Sequence, residues 1–416
     1  MTRNVKLGLK QNWKQFSLLV LINAFVGGMV GMERTIFPQF AQAQFGIDSK
    51  TAVLLFITAF GLSKAVANYY TGRLANTLGR RNLLLLGWLI AIPIPFMLIY
   101  APSWNWVIWA NVLLGFSQGL TWSSTVVMKI DLVGEQDRGF AMGLNEFAGY
   151  LAVGVVAFLT GLVADRYGVT PYPFYIGIFI ATTGFLLTLL WVNDTRAFVQ
   201  QESKTVTSTQ VDNVFWETTV KNKTLSSVTQ AGLVNNLNDG MIWGLFPIVL
   251  LSLHYTNETI GVLTAIYPSV WGIGQLVTGK MSDHYSKKRM LFWGMLLQGL
   301  AISIIPFMDA VYGFALISGL LGLGTALVYP TFLNTIAQAT NPQQRAESIG
   351  TFRLWRDLGY AFGAILSGIT ADLFGIDYAI FLIGALTLLS ALIIKVRMPA
   401  SARPPVNTNT LSRVHP

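Results

Sequence analysis

The sequence has no cysteine, only three histidines, and 11% charged residues in a chain of 416. Without cysteine there is neither a disulfide nor a thiolate metal site, and His254, His284 and His415 are too scattered to build a zinc or redox centre. Soluble enzymes carry about a quarter charged residues, so an ordinary soluble enzyme is excluded too. Gly274 to Lys280 resembles a phosphate-binding loop, but Met281 stands where Ser or Thr is needed, and the segment ends an apolar run instead of following a strand. No cofactor, no metal, no enzymatic activity and no nucleic-acid partner are therefore expected.

What is abundant is apolar: 53% hydrophobic residues and a mean hydropathy of +0.54. These residues fall into runs of the ~20 that cross a bilayer, which predicts an all-α membrane protein seated in lipid. Runs near 16–40, 51–72, 82–101, 104–128, 140–164, 171–193, 226–252, 259–280, 290–308, 311–337, 348–371 and 377–397 predict twelve transmembrane helices. Lys and Arg outnumber Asp and Glu by 28 to 19. With the N-terminus inside, the inner loops collect Arg80, Arg81, Arg138, Lys221, Lys223, Lys287, Lys288, Arg289 and Arg345, and only Lys50 and Arg166 fall outside. Both termini of a plasma-membrane protein are thus expected in the cytoplasm. The first run contains Glu33 and Arg34, is long for a cleaved leader and lacks a small-residue cleavage pattern, so it is expected to remain as a span. The polar stretch 194–225 reads as a cytoplasmic linker between bundles 1–193 and 226–397, with 398–416 as a disordered tail.

The chain repeats itself. Thr71-Gly72-Arg73-Leu74 is matched by Thr278-Gly279-Lys280-Met281 at a fixed offset (279 − 72 = 207). On that register Arg80-Arg81 meet Lys287-Lys288, Arg138 meets Arg345, Gly143 meets Gly350, and Ala164-Asp165 meet Ala371-Asp372. Two six-helix halves of one ancestry predict two pseudo-symmetric bundles, with a substrate site near the midplane between them.

The run Gly72-Arg73-Leu74-Ala75-Asn76-Thr77-Leu78-Gly79-Arg80-Arg81 resembles the signature loop between the second and third helices of the major facilitator superfamily. With the repeat, the linker and Asp137-Arg138-Gly139 before span five, the resemblance covers nearly the whole chain. It implies the superfamily's twelve-helix fold and a secondary transporter whose halves rock about a central cavity. The conformational loop would comprise Gly72, Asn76, Gly79, Arg80 and Arg81, and in the second copy Gly279, Asp283, Lys287 and Lys288. The drug:proton antiporter branch is resembled in part. Asn76 replaces the Asp usual there, Gln118-Gly119 in span four is preceded by Gly115 where an Arg is expected upstream, and span five has no proline between Asn145 and Tyr150.

Charge inside a bilayer costs several kcal/mol unless paired or hydrated, so intramembrane charges are candidates for coupling or recognition. Glu33 and Arg34 lie in span one, Lys64 in span two, Glu146 in span five, Asp239 in span seven, and Arg353, Arg356 and Asp357 in span eleven. Each has a structural alternative: Glu33 with Arg34 as an internal pair, Lys64 neutralising Glu146, Asp239 with Asn235 and Asn238 as helix-to-helix hydrogen bonding. Glu146 and Arg353 occupy equivalent repeat positions with opposite charge and would suit a gate. Gln118, Trp122, Trp243, Tyr267, Trp271, Gln275 and Tyr329 are candidate cavity lining for an amphipathic cargo. The expected protein is a monomeric secondary active transporter moving a small organic solute by alternating access, coupled to protons and exporting. The alternatives are proton-coupled uptake of an anionic or zwitterionic metabolite, favoured by Arg34, Lys64, Arg353 and Arg356, and a non-transporting membrane sensor.

Overall fold

The computed structural model describes residues 6–133, 138–198, 211–340 and 345–400, without the side chains at 72–77, 138–142, 283–284, 337 and 345–346. It is 89% helical and holds no strand among the described residues. The helices are α1 (Leu9–Arg34), α2 (Phe37–Phe45), α3 (Lys50–Leu78), α4 (Arg80–Ala91), α5 (Pro93–Ile99), α6 (Trp104–Val133), α7 (Arg138–Tyr167) and α8 (Tyr172–Trp191). After a helical turn at 214–221 follow α9 (Lys223–Ser252), α10 (Asn257–His284), α11 (Lys287–Ile304), α12 (Val311–Ala339), α13 (Arg345–Phe374) and α14 (Ile376–Arg397).

Nine helical segments are long and apolar enough to cross a membrane among the described residues. The three long helices outside that set, α6, α9 and α13, have 30 residues each. Their polar residues lower the hydropathy, and many of those residues are buried in the bundle: Asn111, Gln118 and Lys129 on α6, Asn235, Asn238 and Asp239 on α9, Arg356 and Asp357 on α13. The sequence repeat reappears in the helix boundaries. α3, α4 and α6 begin at 50, 80 and 104, and α10, α11 and α12 begin at 257, 287 and 311, each 207 residues later. Two of the expected spans are broken: the first run at Thr35-Ile36 into α1 and α2, with Pro38 near the start of the second piece, where α9 continues unbroken, and the third at Ile92 into α4 and α5, with Pro93 starting the second piece.

The two repeats pack through α7 against α10 and α3 against α13. Glycine permits that approach, and the spacing is graded. A Cβ placed at Gly161 would lie 2.7 Å from Asn257 O, at Gly154 2.8 Å from Ala265 O, at Gly272 3.0 Å from Leu151 N, and at Gly143 3.8 Å from Gln275 O. Ser269 Oγ comes nearer still to the Cβ placed at Gly154, but measured to facing backbone the α7–α10 seam is tightest at the end far from the signature loop and loosens toward that loop.

At the tight end a carboxylate of one repeat caps a helix of the other. Asp372, at the end of α13, accepts from Ser49 Oγ (2.8 Å), Lys50 N (2.6 Å) and Thr51 N (2.9 Å), satisfying the first amides of α3. Burial pushes the Asp372 carboxyl up, but hydrogen bonds from Thr51, Lys50 and Ser49 outweigh it and hold the group below the usual 3.8. A lowered pKa means that this latch is complete above about 3.8 and is lost only as pH falls through the lower value. Accessibility of a cysteine placed at Thr264, in this cysteine-free chain, is thus expected to be higher in Asp372→Asn than in the unaltered protein when the two are compared at one pH near neutrality. Equal accessibility in the two proteins would contradict the assignment.

Candidate functional site

The charged positions converge on the seam between the repeats. Asp357, fully buried on α13, accepts from Arg356 Nε (2.8 Å) and Nη2 (2.5 Å) and from Asn236 Nδ2 (3.5 Å). It also accepts from Asn68 Nδ2 on α3 of the first repeat (2.6 Å). Asn68 Oδ1 in turn accepts from Ser123 Oγ (2.5 Å), and Arg353 Nη1 reaches back across the seam to the same Ser123 Oγ (3.1 Å). Arg356 Nη1 donates to Tyr329 Oη. One hydrogen-bonded chain therefore joins α3 and α6 to α12 and α13, and it satisfies an ionised carboxylate that would otherwise be costly to bury.

Aromatic rings fill the rest of the seam. Tyr150 of α7 stacks on Trp271 of α10 with centroids 3.5 Å apart, and Trp122, Tyr267 and Tyr329 complete the cluster. The cations rest on these and neighbouring rings. Arg34 Cζ lies 3.9 Å from the Trp243 ring centroid, and Lys64 Nζ lies 5.1, 5.3 and 5.5 Å from those of Phe60, Tyr360 and Trp122.

Several expected partnerships are replaced by others. Glu33 and Arg34 form no ion pair among the described residues: both carboxyl oxygens of Glu33 and all three guanidinium nitrogens of Arg34 are buried without a hydrogen-bond partner. Consecutive helical residues point about 100° apart, which separates the two side chains. Glu146 accepts from Trp122 Nε1 (2.9 Å) and Asn145 Nδ2 (3.0 Å) within its own repeat, so neither Lys64 nor Arg353 is its hydrogen-bonding partner here. Asp239 accepts from Tyr267 Oη (2.5 Å) and keeps Oδ2 without a partner. Asn238 turns the other way, donating to Gln298 Oε1 (3.1 Å) and accepting from Thr387 Oγ1 (2.6 Å), which is packing inside the second repeat. Asn235 Nδ2 contacts Asn236 Oδ1 (3.4 Å), and Gln118 Nε2 donates to Val26 O (2.8 Å).

The described part of the signature loop braces its own repeat. Gly79 adopts φ +89, a conformation that favours glycine. Arg80 Nε lies 3.3 Å from Asp131 Oδ2 at the end of α6; Arg81 N donates to Asp194 Oδ2 (3.1 Å) and its Nη2 to Leu189 O (2.8 Å). Burial pushes the Asp194 carboxyl up, yet bonds from Arg196 and Arg81 hold it below the usual range. In the second copy Lys287 is buried and Lys288 half-buried at the start of α11, and Gly279 closes α10's last turns. The side chains of Gly72, Asn76 and Asp283 lie outside the described residues. Residues 194–198 belong to the first repeat through Thr195 Oγ1 to Asp131 (2.6 Å), and 214–221 to the second through Trp355 Nε1 to Thr219 Oγ1 (3.1 Å).

Sequence reading passed over Lys129, Asn23, Asn68, Asn111 and Tyr150. Lys129 is fully buried and its Nζ donates to Leu19 O (3.1 Å). Its position at the edge of an apolar run made it look like a flanking cation. The asparagines carry no charge to draw notice, although an Asn in a hydrocarbon-length run is itself a signal.

A cavity of about 20 Å³ opens between the repeats, little more than the ~10–15 Å³ one water requires. Arg34, Val153 and Ala157 line it from one side, and Trp243, Phe246 and Tyr267 are among those on the other. A multi-pass helical bundle with a polar, charged seam between duplicated halves defines a membrane transporter. The chain belongs to the Major Facilitator Superfamily, whose profile matches residues 19–227 and 228–415; members are transporters, not enzymes, and carry small molecules. Among its relatives, an uncharacterized MFS-type transporter of Methanocaldococcus jannaschii is 29% identical over 157 residues, covering 38% of this chain and 41% of that one. Multidrug resistance protein MdtG of Serratia proteamaculans is 22% identical over 91% of this chain and 92% of its own, and MdtG of Enterobacter lignolyticus 21% identical over 91% and 90%.

Proposed function

We propose that the protein is a proton-coupled secondary carrier that exports a small organic solute by alternating access across the plasma membrane. It would cross the bilayer twelve times, nine times through the apolar segments and three through α6, α9 and α13, whose 30 residues reach about 45 Å at ~1.5 Å per residue. The halves would be 1–193 and 226–397, with the linker 194–225, the tail 398–416 and the signature-loop end in the cytoplasm, as the cation distribution favours. The observation that carries the reading is the graded α7–α10 seam, shut at one end and loosening toward the other. Export is favoured by relatives named for multidrug resistance.

Glu33 is the best candidate for the proton. An ionised carboxylate buried without donors costs several kcal/mol, and Glu33 is 0% exposed with neither oxygen bonded. The Asn111 side chain lies beside it, its Nδ2 donating to Val107 O (3.1 Å). In liposomes, Glu33→Gln is expected to cut solute accumulation driven by a pH gradient at least about tenfold while leaving solute counterflow. Full pH-driven accumulation in that variant would remove Glu33 from coupling.

Uptake of an anionic or zwitterionic metabolite is the second reading, favoured by Arg34, Lys64 and Arg353 along the seam. Ligand binding without counterflow would point instead to a sensor.

A further inference from the structure

We infer that the cavity between the repeats is a site for an amphipathic organic anion, a carboxylate on an apolar body, with Arg34 as its anchor. The inference rests on the carrier reading and names the chemistry of its solute.

Arg34 lines the cavity and is 3% exposed, yet none of its three guanidinium nitrogens has a hydrogen-bond partner among the described residues. Its face is occupied by the Trp243 ring at 3.9 Å and Phe60 at 5.4 Å. Stacking uses the face of a guanidinium and leaves its N–H edge free, and that planar edge matches the two oxygens of a carboxylate. A buried guanidinium whose N–H groups make no hydrogen bond leaves a desolvation penalty unrelieved, and an arriving anion that accepts from it relieves a penalty that a neutral or cationic solute would leave in place or increase.

The remaining walls suit an apolar body with few polar contacts. Phe246, Pro247, Ile317 and Leu321 supply hydrocarbon, while Thr264, Tyr267 and Ser318 offer neutral oxygens. No carboxylate lines the cavity among the described residues; the two acids whose charge reaches Arg34, Glu33 beside it in the chain and Asp239 behind Tyr267, lie off the wall and neither accepts a hydrogen bond from it. The cation is also one-sided. On the repeat register Arg34 corresponds to Met241, fully buried and uncharged, so the second half contributes no matching charge. A single cation in an apolar wall selects one anionic group, not a di-anion with charges at both ends. The volume of about 20 Å³ means that the halves must part before the solute enters.

The test uses three probes on one ring system: 2-naphthoate, 2-naphthamide and 2-naphthylmethylammonium, measured by equilibrium dialysis against the purified full chain and by counterflow in liposomes. Naphthoate is expected to bind at least about tenfold more tightly than either companion. Arg34→Gln should erase that preference while leaving naphthamide within about twofold, and Arg34→Lys, which keeps charge and loses the fork, should fall between. Stabilisation of the unaltered protein against heat by naphthoate alone reads the same preference even where a variant fails to fold. Equal binding of the three, preference for the ammonium, or an unchanged preference in a folded Arg34→Gln would overturn the anion site. Counterflow of the ammonium but not of naphthoate would also overturn it and leave the carrier reading standing, whereas binding of naphthoate without counterflow of any probe would keep the site and sink the carrier.

Discussion

Asp357→Asn is expected to lower the stability of the protein by about 3–5 kcal/mol, the range for removing one partner of a buried ion pair. The carboxylate has donors from Arg356, Asn236 and Asn68 around it and no exposure to share the loss with solvent. Asparagine keeps one acceptor oxygen and loses the charge, so the Arg356 guanidinium stays buried without a counter-charge, and either it or Asn68, the residue by which α3 holds α13, faces an NH2 group in place of an acceptor. Asn68→Ala, which removes a single donor to a charged group, should cost less, about 1.5–3 kcal/mol. A double replacement, Arg356→Met with Asp357→Leu, should recover part of the loss, because no uncompensated charge then remains. Thermal unfolding in detergent, followed by tryptophan fluorescence, reads all three. A loss under about 1 kcal/mol in Asp357→Asn would show that the pair is hydrated and does not hold the seam.

The duplicated architecture was legible because duplication leaves matching residues near the ends of corresponding helices: Gly72 with Gly279, Arg80 with Lys287, Asp165 with Asp372. At the seam the same register gives mismatches. Lys64 corresponds to Trp271, Asn68 to Gln275, Trp122 to Tyr329 and Glu146 to Arg353. These positions were recognisable as special because charge in a hydrocarbon-length run is costly, but their partners were not. Arg356 and Asp357 are chain neighbours and bond, since a long arginine can fold back along its helix; Glu33 and Arg34 are neighbours and do not. Asn238 and Asp239 are neighbours that serve different surfaces, one packed on α11 and α14 and the other beside the cavity wall. Which way each side chain points depends on helix rotation within the bundle, and adjacency in sequence carries no information on that. The break at Thr35-Ile36 was equally hidden, for hydropathy runs straight through it.

Gly161→Leu is expected to force apart the end of the seam that lies far from the signature loop. A Cβ at Gly161 would meet backbone on the facing helix, Asn257 O at 2.7 Å and Gly261 Cα at 2.8 Å, and backbone cannot turn aside as a flexible side chain can. Overpacking of this kind costs about 1–3 kcal/mol, and here the cost falls only on the conformation in which α7 and α10 touch. A two-state protein answers by moving toward the other conformation, by roughly 5- to 150-fold for that range. A cysteine at Thr264, whose Oγ1 lies 3.1 Å from Thr35 Oγ1 across the seam, should then react with a membrane-impermeant maleimide that many times faster. The cysteine-free background makes the signal unambiguous. Gly143→Leu, at the loose end where the nearest facing atom would be 3.8 Å from the new Cβ, should leave the rate within about twofold. Equal rates in the two variants would mean that the graded seam does not govern access, and the rocking of halves would need another pivot.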